Sequence, residues 1–189
     1  NVEAAANQPR MIAKAVAWLE QRETGKPFFL YFPMCPPHTP VAPAPEFQGR
    51  SGAVDEVGKD PHYGDWVYQG DHMLGQLIDT LERKGFTDHT LVIATADNGA
   101  AKRPYPPLRA AKASIHEGGH RVPFVARWPK IIKPGTVCDQ TVCLNDLIAT
   151  CADILAVKLP DNAGEDSVSI LPALLGTVKI GRASCRERV

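Results

Sequence analysis

The stretch Thr90–Gly99, TLVIATADNG, decides how this chain folds. Leu91 to Ala96 run apolar or small, with the β-branched residues Val92, Ile93 and Thr95 among them. The run stops at Asp97, Asn98 and Gly99. A short apolar run closed by Asn-Gly predicts a strand buried on both faces, of the kind found inside a parallel sheet. Ligands in open α/β sheets sit beyond the carboxyl ends of such strands. Asp97 and Asn98 therefore stand where an oxygen-liganded cation or a charged substrate would bind. The same residues also suit a plain turn.

Working outward, Asp65–Lys84 places Trp66, Met73, Leu74, Leu77, Ile78 and Leu81 on one helical face, and Gly85 can cap the end. Asp79, Glu82, Arg83 and Lys84 fall mainly on the other face. Pro9–Arg22 is a second amphipathic helix, carrying Met11, Ile12, Ala15, Val16, Trp18 and Leu19 and ended by Gly25 and Pro27. Phe28–Phe32, FFLYF, reads as a second buried strand. A proline-rich loop, Pro33–Pro61, follows it and holds Pro37-His38-Thr39-Pro40; a loop that long in a compact domain is usually functional or mobile. After Gly99 comes a polar loop containing Lys112 and Glu117-Gly118-Gly119, and then a third strand, Val122–Trp128. Asn145–Val157 is an apolar helix with Asp146 near its start. Cys143 and Cys151, in that apolar stretch, read as buried thiols. Leu159–Gly176 is loop with a short apolar turn. Helix, turn and strand in repeated order imply an α/β fold with a parallel sheet.

The 189 residues suffice for one domain or a large part of one, and 44% hydrophobic with 22% charged residues is an ordinary globular balance. The net charge of zero gives no pointer to nucleic acid or an anionic membrane. No apolar run approaches the roughly 20 residues that span a bilayer. The spacing Cys138-x4-Cys143-x7-Cys151 is not a zinc spacing. The chain opens at Asn1 without an initiator Met or a signal peptide, which fits a fragment. The tail 180–189, IGRASCRERV, matches the translation of a common sequencing-library adapter and is set aside from fold reasoning. Without it the balance turns slightly acidic, because Arg182, Arg186 and Arg188 leave with only Glu187.

Four polar segments then stand out: Pro37-His38-Thr39-Pro40, Asp97-Asn98, Lys112 and Glu117-Gly118-Gly119. A carboxylate beside an amide oxygen suits a hard cation such as Ca²⁺ or Mg²⁺. A His in a proline frame suits a general acid, and a Lys suits a substrate anion. Together they suggest transfer chemistry on a tetrahedral oxyanion ester.

The order PFFLYF…PPHTP, YGDWVYQGDHMLGQLIDTLE, TLVIATADNG, KASIHEGGHRVPFVARWP resembles the later part of a type I sulfatase catalytic domain, within the alkaline-phosphatase-like superfamily. The resemblance covers about Pro27 to Thr177, and its most specific part is ADNG followed by K-x-x-x-x-E-G-G-x-R-V-P. It implies a three-layer α/β/α sandwich with a largely parallel sheet. Residues 1–179 would be a partial catalytic domain lacking its N-terminal part. His38 would help protonate the leaving alcohol, Asp97 and Asn98 would bind Ca²⁺, and Lys112 would contact the sulfate. A formylglycine nucleophile, made from Cys in a C-x-P-x-R signature, would lie upstream with further metal-binding Asp residues. The substrate would be a sulfated small molecule or glycan, and the compartment periplasmic, secreted or lysosomal. Substrate and oligomeric state stay open.

Two departures matter. His116 stands where the family usually has an aromatic residue, and it is given no role. Cys35-Pro36-Pro37-His38-Thr39 imitates the nucleophile signature but has Thr39 where Arg is required, so Cys35 is a decoy. Glu117 is read as fixing its loop, and Asp65 and Asp71 as caps or solvated charges. Two further readings are a phosphodiesterase or phosphonate hydrolase of the same superfamily, and a non-catalytic homologue that binds anionic glycans.

Overall fold

A computed structural model describes residues 2–53, 60–103 and 105–177. The tail 180–189, with Cys185, and the Gly58 part of the proline-rich loop lie outside the described residues. The chain divides into two units, residues 1–88 with 98–121, and residues 89–97 with 122–189.

The first unit is built on two helices. The sequence predicts a start at Pro9 for the first, but α1 runs Val2–Glu20 with Pro9 inside it. Pro9 lies past the first turn, so α1 forgoes there the N–H bond that would reach the Ala5 carbonyl. The buried line of α1 is Gln8, Ile12, Ala15 and Leu19, one helical face with a polar residue at its head. Helix α2, Tyr63–Arg83, buries Trp66, Met73, Leu77 and Leu81 as the periodicity predicts. It also buries Asp65, Gln69 and Thr80 on the same side. Gly85, at φ +70°, closes the helix. The Gly85 and Phe86 amides donate to the Glu82 and Leu81 carbonyls at 2.9 and 2.8 Å, an arrangement in which a left-handed residue is needed. Arg83 pairs with Glu20, and Lys84 Nζ donates to the Glu20 carbonyl at 2.7 Å, joining the ends of α1 and α2.

The FFLYF segment corrects an expectation. Residues 28–32 form no strand. Phe28, Leu30 and Phe32 are half-buried, whereas Phe29 is 79% and Tyr31 77% exposed. Side-chain alternation of period two is thus present, but a strand also needs a neighbour for its backbone groups, and none pairs with it among the described residues. Phe28 packs edge-on to Trp18 at 5.9 Å and against Phe86 at 5.5 Å.

The second unit holds β1, Val92–Thr95, and β2, Phe124–Arg127. They lie inside the two sequence-predicted strands but pair antiparallel, with Val92 opposite Arg127 and Thr95 opposite Phe124. β1 is half-buried rather than buried on both faces, and Val125 of β2 is 63% exposed. Among the described residues, the parallel neighbours expected for TLVIAT do not pair with these strands, and the sheet is β1 beside β2. Between these strands in sequence, and in the first unit, lies the single turn α3, Glu117–His120. Helix α4, Asp146–Ile154, and the short α5, Leu171–Leu174, complete the second unit. Asp146 is fully buried and accepts from the Cys143 and Val168 amides at 2.7 and 3.1 Å. Thr150, one turn on, donates to the Asp146 carbonyl and accepts from the Ile170 amide. This buried line excludes Cys151, and Cys143 precedes the helix. Both thiols are exposed, contrary to the sequence expectation.

Candidate active site

His38 is positioned from α2. The indole Nε1–H of buried Trp66 donates to the His38 carbonyl at 2.9 Å. The His38 amide donates to the Cys35 carbonyl at 2.7 Å, closing a turn that leaves the imidazole exposed. Its Nδ1 lies 2.6 Å from the Thr39 carbonyl. A carbonyl oxygen can only accept, so Nδ1 carries the proton and Nε2 is left for other chemistry.

The rest of the loop is held by buried polar side chains. Gln69 Oε1 accepts from the Ala44 amide at 2.9 Å, and Gln8 Oε1 from the Cys35 amide at 3.4 Å. Asp65 accepts from the Gly49 amide, the Ser51 amide and the Ser51 hydroxyl at 2.8, 2.9 and 2.8 Å, with His62 Nδ1 at 3.2 Å. The Ser51 amide bond, opposed by burial and aided by the Gly49, Ser51 hydroxyl and His62 contacts, holds the Asp65 carboxyl well below the usual carboxylate range. Asp65 is therefore neither a helix cap nor a solvated charge. It ties the first turn of α2 to residues 49–51. The signal was present in the sequence, since Asp65 and Gln69 fall in line with Met73 on the apolar face. Polar residues in such a line need buried partners.

Asn98 and Lys112 belong to one loop cluster. The Gly99 amide donates to the Gly119 carbonyl at 2.8 Å, the Lys112 amide to Ala100 at 3.0 Å, and the Gly118 amide to Arg109 at 2.8 Å. These approaches leave no room for side chains. A Cβ on Gly99 would lie 1.9 Å from the Gly118 carbonyl oxygen, one on Gly118 2.2 Å from that of Ala110, and one on Gly119 2.0 Å from that of Ser114. Three non-glycine residues of the same loop, Lys102, Ala110 and Ala113, take positive φ. Such left-handed conformations cost roughly 1 kcal/mol each and collect where function over-determines the backbone. Glu117 begins α3 and pairs with Arg121 at 3.6 Å, in keeping with a local role. His120 Nε2 lies 3.1 Å from the Ile115 carbonyl.

Lys112 is exposed, Asn98 half-buried and Asp97 exposed. No hydrogen bond or ion pair joins the side chains of His38, Asn98 and Lys112 to one another among the described residues. The Asp97 carboxylate likewise makes no hydrogen bond or ion pair among them. Among the described residues no three His, Cys, Asp or Glu gather as a metal cluster, so Asp97 and Asn98 fit as part of an oxygen shell and not as a whole one. A groove of about 640 Å³ lies beside α1, lined by Pro9, Pro40, Val41, Pro43 and Pro45, and neither His38 nor Lys112 reaches it.

The sequence model of the family described as Sulfatase matches residues 5–157. The N-acetylgalactosamine-6-O-sulfatase of Bacteroides thetaiotaomicron is 35% identical over 167 residues, covering 80% of this chain and 31% of that protein. The steryl-sulfatase of Rattus norvegicus is 33% identical, over 84% of this chain and 28% of that protein. The solved structure of Ps i-CgsB in complex with k-i-k-neocarrahexaose superposes with a TM-score of 0.82 at 29% identity, over 91% of this chain and 39% of that one. The chain thus spans about a third of the length of the curated relatives it matches. The fold is α/β, of the alkaline-phosphatase-like kind, and the chain belongs to the sulfatase family.

Proposed function

We propose that these residues form the leaving-group and part of the metal-binding side of a sulfuric ester hydrolase. The observation carrying this reading is the glycine interlock, which fixes the Asn98 turn and the Lys112 loop as one unit without side-chain filler. A sulfated glycan is the favoured substrate class. An N-acetylgalactosamine-6-O-sulfatase and a structure holding k-i-k-neocarrahexaose are among the similar proteins, although a steryl-sulfatase is too.

The roles follow from the chemistry of each group. His38 keeps its Nδ1 proton on the Thr39 carbonyl, 2.6 Å away. As the imidazolium it delivers the Nε2 proton to the bridging oxygen as the S–O bond breaks. Lys112 offsets charge on the non-bridging sulfate oxygens before and during transfer. Asp97 and Asn98 supply two hard oxygen donors to Ca²⁺, in preference to Mg²⁺, with further ligands from outside these residues. That cation, when bound, would neutralise charge on the sulfate group. The nucleophile is a formylglycine contributed by upstream sequence, and residues 1–179 are the later part of the catalytic domain. Residues 180–189 are translated adapter, an assignment that adapter-free amplification of the gene would overturn by recovering the same codons. A periplasmic, secreted or lysosomal setting suits the reading, and no helix is long and apolar enough to cross a membrane among the described residues.

The test is release of inorganic sulfate by the chain joined to its upstream sequence. Sulfated N-acetylgalactosamine, a carrageenan oligosaccharide and an aryl sulfate are the substrates. Sulfate release that depends on Ca²⁺ supports the assignment. Phosphodiester cleavage without sulfate release, or a Thr in place of the modifiable Cys, overturns it.

A further inference from the structure

Helix α2 turns a buried surface toward the loop that carries His38, and the contacts there are unlike ordinary core packing. Trp66 is 2% exposed, yet its one polar atom is spent on the backbone of the residue read as the general acid, Nε1 to His38 O at 2.9 Å. One turn further on, Gly70 lies close under Pro36, so close that a Cβ there would sit 3.2 Å from the proline ring. Gln69 and Gln8, both buried, hold the Ala44 and Cys35 amides on either side of His38 in sequence. The His38 side chain itself is exposed, and its only hydrogen bond among the described residues is to the adjacent Thr39 carbonyl. Its place is therefore dictated by its backbone, and among the described residues the only side chain bonded to the His38 backbone is Trp66.

We infer that Trp66 is a positioning residue for His38, setting through its indole N–H where the imidazole Nε2 meets the leaving oxygen. Proton delivery is steeply sensitive to such placement, since displacements of about 1 Å can cost on the order of 10²-fold in rate. The indole ring supplies burial that Phe can largely replace, whereas the N–H supplies the register of His38 and nothing else on α2 can. Removal of the N–H leaves the His38 carbonyl to water or to no partner. The inference rests on the reading of His38 as the acid only for its kinetic consequence.

The experiment compares the wild type, Trp66→Phe, His38→Ala and the double variant, all joined to the upstream sequence. A fifth protein carries 3-benzothienylalanine at position 66, a near-isostere without the N–H, so that the result survives if Trp66→Phe fails to fold. The first readout is the ¹⁵N spectrum of the His38 ring and the hydrogen exchange of the His38 amide. Both should change on loss of the N–H while the melting curve of the isostere stays near wild type. The second readout is turnover. The N–H loss should lower kcat for an alkyl sulfate by about 3- to 30-fold, the range of one lost hydrogen bond with some misplacement. KM should change little, and an activated aryl sulfate should be nearly unaffected. In the His38→Ala background the same change should have no further effect. An unaltered His38 spectrum and exchange overturns the inference. So does an equal loss in the presence and absence of His38, which would mark a general structural role. If the spectrum shifts but His38→Ala shows no leaving-group dependence, the positioning stands and the acid role of His38 falls.

Discussion

At the scale of single residues, the proposed site is a set of exposed or half-buried polar side chains. Asp97 makes no side-chain hydrogen bond or ion pair among the described residues, and the proposal gives it to the metal. Asp97→Ala should therefore lower Ca²⁺ content and activity together in the protein carrying its upstream sequence, measured by metal analysis beside sulfate release. Full metal occupancy in that variant would end the metal assignment. His38→Ala should leave the metal bound and slow turnover by about 10²–10⁴-fold for poor leaving groups, the usual worth of a general acid. An activated phenol needs little protonation and should lose far less. Equal losses across two leaving groups of different pKa would show that His38 does something else. Asp97, Asn98 and Lys112 stand out as candidates in the sequence because their motifs, ADNG and the spaced Lys and Glu-Gly-Gly, are local patterns. Trp66 was legible only as a core residue, since nothing in its spacing shows where an indole N–H will point.

At the scale of elements, α2 is both core and scaffold. Its Leu77 and Leu81 face was plain from periodicity, but Asp65 was misjudged because a carboxylate near a helix start is usually a cap. Burial on the apolar side changes its partners to the Gly49 and Ser51 amides, the Ser51 hydroxyl and His62. The folded carboxyl titrates below its unfolded value, about 3.9. Its contribution to stability is thus fully present above roughly pH 4 and is lost as pH falls toward the lower folded value. Asp65→Asn should destabilise the protein at neutral pH by about 1–3 kcal/mol, because an amide presents a donor to backbone N–H groups and leaves them unsatisfied. The variant should also lose less of its remaining stability than the wild type between about pH 4 and pH 2, below the ordinary Asp value. Urea titrations across that window measure both effects, and parallel curves for the two proteins would refute the account. Strands β1 and β2 fall where TLVIAT and VPFVARW place them, and the departures lie in pairing and in FFLYF. Local sequence reports the strand habit of VIAT and FVAR, but their pairing is antiparallel, and FFLYF has the alternation of a strand with no neighbour. Pairing is a property of what lies beside a segment, which the segment does not encode.

At the scale of the whole molecule, the chain matches about a third of its curated relatives' length. Its composition gave the globular class correctly, and its motif order gave the family. The exposure of Phe29 and Tyr31 could not be read from either. The 189-residue chain holds the proposed acid and two metal ligands but no modifiable signature, since Thr39 stands where Arg is needed. The isolated chain should therefore show no turnover of an aryl sulfate in Ca²⁺ above a His38→Ala control. Measurable activity would mean that a nucleophile has been overlooked within these residues. The exposed Phe29 and Tyr31 should also make the isolated chain bind a hydrophobic dye and self-associate, as large uncovered apolar side chains do.

The close approaches at Gly99, Gly118 and Gly119 also bear on inheritance. Every missense change reachable from a glycine codon by one nucleotide introduces a Cβ. At these three positions that atom would meet a carbonyl oxygen within 2.2 Å. No backbone can absorb such an overlap without moving the Asn98 turn or the Lys112 loop. Neutral drift is closed at these codons, so deleterious alleles should concentrate there. A lineage that abandoned catalysis would be expected to show its first tolerated changes at the same three codons.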